Sequence, residues 1–110
     1  MSLVDKIRKA RESMVEVGGY TFTVRRPTDV EMMELRATGG VARLFPFVLG
    51  WEGVKEIDLI PGGDPHPLAF DADVCKEWLA DRPDLFGPLI DAILGSYRTH
   101  AAALEDAAKN

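Results

Sequence analysis

With one cysteine, Cys75, the chain has no partner for an intramolecular disulfide, a usage that fits a reducing compartment. Histidine is nearly as scarce. His66 lies in a proline-rich stretch and His100 far along the chain, and neither has a Cys or carboxylate at metal-ligand spacing, so no metal site is expected. Long apolar runs are missing too. The run 44–49 is interrupted by Pro46 and closed by Gly50, well short of the roughly 20 apolar residues of a membrane span. No apolar core follows the basic residues near the N-terminus, so no secretory signal is expected. Cations are sparse in the second part of the chain. Residues 1–43 carry eight Lys/Arg against six Asp/Glu, a net of +2, whereas residues 44–110 carry five against twelve, a net of −7. Phosphate contacts require clustered cations, which argues against nucleic acid as a partner of the acidic part. The cluster Lys6, Arg8, Lys9 and Arg11 is the one basic candidate, and with Asp5 and Glu12 flanking it, it reads as a solvated helix face or arm.

What is present suits a soluble globular protein. Apolar residues make up 46% and charged residues 28% of 110 positions, enough for one modest core and one domain over 1–110. Residues 2–11 can form a short helix capped by Ser2, with Leu3, Ile7 and Ala10 on one side; so thin a stripe makes 1–13 a candidate mobile segment. A β-hairpin follows. Val15 and Val17, then Tyr20, Phe22 and Val24, alternate with polar neighbours around Gly18-Gly19, a two-residue turn that sets Val17 opposite Tyr20 and Val15 opposite Phe22. Thr28 and Glu31 form a capping box that starts a helix carrying Val30, Met33 and Ala37 on one face, with Met32 beside them, and ending at Gly39-Gly40. Residues 41–49 are expected as a second helical piece bent at Pro46, and Ile57, Leu59 and Ile60 as a short extended or helical turn. Three prolines and two glycines mark 61–67 as an exposed, flexible loop. Asp71 then caps a helix with Val74, Cys75, Trp78 and Leu79 on its apolar face. Pro83 opens a last helix in which Phe86, Leu89, Ile90, Ile93, Leu94, Tyr97, Ala101 and Leu104 keep a sustained 3.6-residue period. Pro88 is expected close enough to the start to be tolerated in the first turn, and Gly95 weakens the middle by roughly 1 kcal/mol relative to alanine. The fold class expected is α+β, a hairpin on a mainly helical body of three to five helices.

No catalytic constellation, cofactor site or metal site is apparent. Asp71 and Asp73 read as carboxylates favoured at a helix start, since no calcium-loop glycine and glutamate follow at the required spacing. Cys75 on an apolar helix face reads as buried. The glycine pairs lack the lysine of a phosphate loop and read as turns. A non-enzymatic, protein-binding role is therefore expected. Adjacent methionines, Met32 and Met33, offer adaptable apolar contacts to a partner.

One segment stands apart. Gly50-Trp51-Glu52-Gly53-Val54 sets a large indole between two glycines, and Trp51 is expected to be buried, anchoring a turn against the last helix. This motif is followed by a polar Pro/Gly loop, Pro67-Leu68-Ala69-Phe70-Asp71, an amphipathic helix and a closing Ala108-Lys109-Asn110. In that order the motifs resemble the tail assembly chaperones of long-tailed bacteriophages and prophages, over about residues 20–110. The chain differs from the usual pattern in having Ala69-Phe70-Asp71 where a Phe-Ser pair is common, a longer Gly/Pro loop and a distinct N-terminal helix. The resemblance implies a chaperone in the host bacterial cytoplasm that coats apolar helical segments of the tape-measure protein and helps recruit tail tube protein. The corresponding candidate partner contacts are Met32, Met33, Trp51 and Trp78. No small-molecule substrate, membrane or cofactor is implied, and homo-oligomerisation is left open. The alternatives are a small structural phage component, such as a head–tail connector or completion protein, and a regulator using the basic arm on nucleic acid.

Overall fold

The structure, a computed structural model, describes residues 1–109; Asn110, the end of the family-like closing motif, lies outside them. Helix α1 (Leu3–Lys9) is capped by the Ser2 hydroxyl, which accepts from Asp5 N–H, and buries no residue. Strands β1 (Glu12–Val17) and β2 (Tyr20–Arg25) form the expected hairpin, with Val17 opposite Tyr20 and Val15 opposite Phe22. Both turn glycines adopt positive φ, and a Cβ on Gly18 would approach Leu85 Cδ2 to 2.6 Å, so this turn needs glycine for packing as well as for backbone shape. Helix α2 (Asp29–Thr38) opens with the complete Thr28–Glu31 capping box.

Residues 41–47 are helical as expected, but the chain departs from expectation at 48. A 3-10 segment (Val41–Phe47) accommodates Pro46, and the chain then enters a third strand, β3 (Val48–Glu52), rather than continuing as helix into a turn. The sheet order is β1-β2-β3, antiparallel throughout, with Phe22 paired to Trp51 and an irregularity between Thr23 and Val24. Gly50 sits inside that strand opposite Thr23. Local glycine and proline content signals a turn, but the β2 edge offers a row of unpaired backbone groups, and satisfying them decides the conformation of 48–52.

Helix α3 (Glu56–Leu59) is a single turn, and α4 (Ala72–Ala80) is capped by Asp71, whose Oδ1 accepts from Val74 N–H. Residues 61–67 are mostly exposed, as expected, yet tied down. Lys55 bridges to Pro67, Ile57 N–H donates to the Asp64 carbonyl, and Leu68 N–H donates to the Val54 carbonyl. Helix α5 (Pro83–Lys109) runs through Pro88, which lies beyond its first turn. One core joins the sheet to α4 and α5. Phe22, Val24, Val54, Leu79, Leu85, Leu89 and Ile93 are fully buried there, and Phe45 stacks on Phe86 at 4.3 Å between centroids. The architecture is α+β.

Candidate partner-binding surface

Two of the four nominated contact residues belong to the core. Trp51 and Trp78 are 8% and 6% exposed and meet edge-to-face, 5.9 Å between centroids, within a cluster that includes Phe70, Tyr20 and Phe22. Trp51 Nε1 donates to the Leu68 carbonyl at 2.8 Å, tying β3 to the segment leading into α4. Its burial agrees with the sequence reading, but the indole sits in a strand rather than a turn and meets Trp78 of α4 edge-to-face. Aromatic rings of this size bury too much apolar area to be left at a surface when a sheet and helix can enclose them. Trp51 and Trp78 therefore serve the fold first.

The methionines divide between two faces of α2. Met33 is 66% exposed and shares its face with Val30, at 64%, so the stripe read from the sequence as apolar packing points to solvent. Leu35 is the α2 residue that packs against the core. Met32 is half-buried and lines a concavity of about 500 Å³ between α2 and the distal part of α5. Leu94, Tyr97, Ala101 and Ala102 supply its other wall, with Arg36, Arg98 and Glu105 at the edges. These α5 residues were legible only as helix periodicity. The signal that marked them was length: the period continues to Leu104, while the last buried residue of α5 is Ile93. Sixteen residues beyond Ile93, about 24 Å of helix, therefore carry an apolar stripe with no core beneath it, and Leu104 is 53% exposed.

Two polar nodes hold the cleft walls in place. Tyr97 Oη donates to Asp29 Oδ1 at 2.6 Å, joining α5 to the first turn of α2, and this bond raises the Tyr97 pKa. His100 Nε2 lies 4.0 Å from the other Asp29 oxygen. On the opposite side of α2, Arg25 donates two bonds to the Glu31 carboxylate, 2.8 and 2.9 Å, while its guanidinium covers the Phe47 ring at 4.2 Å. Those bonds draw the Glu31 carboxyl from 4.5 to about 2, against the opposing effect of burial and with help from Thr28 N–H. A capping box read in the sequence thus proves to be one end of a bridge between β2, α2 and the 3-10 segment.

Among the described residues no group of three or more His, Cys, Asp or Glu is placed to hold a metal ion. Cys75 is buried in the core, and desolvation pushes its thiol up to about 11, so little thiolate is present at neutral pH. Also among the described residues, no helix is long and apolar enough to cross a membrane. Comparison with protein-family models, curated proteins and solved structures returns no match.

Proposed function

We propose that this chain is a non-enzymatic tail assembly chaperone of a long-tailed phage or prophage, acting in the host cytoplasm and cradling apolar helical segments of the tape-measure protein. The observation that carries the reading is the α2–α5 cleft, where Met32 faces an apolar stripe extending past the core. A partner helix laid there would complete a three-helix arrangement and cover Leu94, Tyr97 and Ala101, the helix-in-groove mode of recognition. Thioether flexibility at Met32 suits a succession of similar but non-identical apolar segments. The order of family-like motifs supports the same role, and recruitment of tail tube protein is part of it.

Co-expression with the long helical protein encoded beside it, followed by affinity capture, tests the reading. Co-purification is expected from the intact chain and its loss from Ala101→Arg, a change at an exposed helix position that should move stability by no more than about 0.5 kcal/mol. Finished particles should lack the protein. Failure to co-purify, together with its presence in mature virions, would favour a structural connector or completion protein.

A further inference from the structure

A second surface has different chemistry. Between α3 and α4 lies a groove of about 520 Å³ with an apolar floor of Leu59, Ile60, Val74 and Trp78. Along its α4 side run Asp73, Glu77 and Asp81, spaced four residues apart and so aligned on one helix face; Asp58 borders it from α3. Asp73, Glu77 and Asp81 have no ion-pair partner among the described residues. The one cation at the groove, Arg82, is held in a two-bond pair by Asp84. Asp73 is favoured in the first turn, but Glu77 and the C-cap Asp81 are like charges at the C-terminal end of α4, where they repel one another and oppose the helix dipole.

Trp78 lines the same groove but is only 6% exposed, and its enclosed Nε1–H has no hydrogen-bond acceptor among the described residues. Buried donors are normally satisfied, because an unmade bond leaves the desolvation penalty uncompensated. Its counterpart Trp51, in the same aromatic cluster, has such an acceptor. Exposed apolar surface and carboxylates with no ion-pair partner among the described residues therefore meet at one place.

We propose that the α3–α4 groove is a second docking site, separate from the α2–α5 cleft, for a short partner segment carrying apolar side chains flanked by Lys or Arg. The apolar side chains seat on Leu59, Ile60 and Val74, and the basic residues pair with the carboxylates along α4. A net charge of −5 sets copies of this chain against one another and favours a basic partner of another kind. The site stands whether or not the cleft takes a tape-measure helix. With both occupied, the protein would bridge two partners.

The test uses the full chain and two synthetic amphipathic peptides, one of Leu and Lys, the other of Leu and Glu. Titration is followed by the NMR signal of the Trp78 indole N–H, assigned by its loss in Trp78→Phe. The Leu/Lys peptide should shift that signal, and Glu77→Lys with Asp81→Lys should weaken binding at least tenfold. Both positions are exposed, so the variant should fold, and retained thermal unfolding verifies it. Asp91→Lys with Glu16→Lys, an equal charge change at exposed positions away from both the groove and the cleft, should leave the affinity within about twofold. Equal binding of both peptides, equal weakening by both charge variants, or shifts confined to the α2–α5 cleft would overturn the proposal. So would an oligomer of the unmodified chain that Glu77→Lys with Asp81→Lys converts to monomer, since the occupant would then be a second copy.

Discussion

Removing the charge of Glu31 while keeping its shape probes the node that orients α2 and hence one wall of the cleft. Glu31→Gln retains a side chain able to complete the capping box but cannot form the charge-assisted pair with Arg25. A carboxyl held at about 2 instead of 4.5 corresponds to roughly 3 kcal/mol by linkage. The pair is a quarter to a third exposed, so solvent screening reduces this, and a loss of about 1–2 kcal/mol is expected. Near the size of this domain that is a fall in Tm of roughly 5–10 °C. Glu31→Ala also abolishes the reciprocal cap and should cost about 1 kcal/mol more. The pH dependence is diagnostic. Because the folded-state value is depressed, the stabilisation is complete above the unfolded value of 4.5 and is lost as pH falls through about 2. Urea unfolding of both proteins from pH 7 to pH 2 should show a gap that is constant above about pH 5 and shrinks below it. A gap unchanged across the acid range would refute the assignment, since the lost energy would then not come from the ionised carboxylate.

Three further outcomes follow from the packing. Trp51→Ala should destabilise by about 3–5 kcal/mol in denaturant unfolding, whereas Trp51→Phe, which loses the bond to Leu68, should cost less; equal costs would mean the hydrogen bond dominates. Gly63→Ala should be destabilising by at least about 1 kcal/mol, because a Cβ there would lie 2.8 Å from the Glu56 carbonyl carbon, and a neutral result would show that 61–67 shifts freely. Cys75 should resist thiol reagents in the native protein at pH 7–8 and react only on unfolding; rapid native labelling would contradict its burial.

Local chemistry in the chain was enough to determine the elements that close over short distances. The hairpin register follows from Gly18-Gly19 and strict alternation, the α2 start from Thr28 and Glu31, and the α4 start from Asp71, each within a few residues of its partner. Tertiary structure decided what depends on distant groups. Residues 48–52 became a strand because β2 presented a pairing edge about 25 positions earlier, an energy that no local window contains. The same holds for the two sides of α2: Val30, Met32 and Met33 are all apolar, and only the position of α5 makes Met32 a cleft wall and leaves the other two in solvent. Periodicity said that α5 was amphipathic to Leu104, but where the core ends, at Ile93, depends on how far the sheet and α4 extend beneath it. Trp78 shows the same limit at a single atom. Its burial follows from helical spacing, whereas the enclosure of its Nε1–H without an acceptor among the described residues arises only from the packing of distant elements around it.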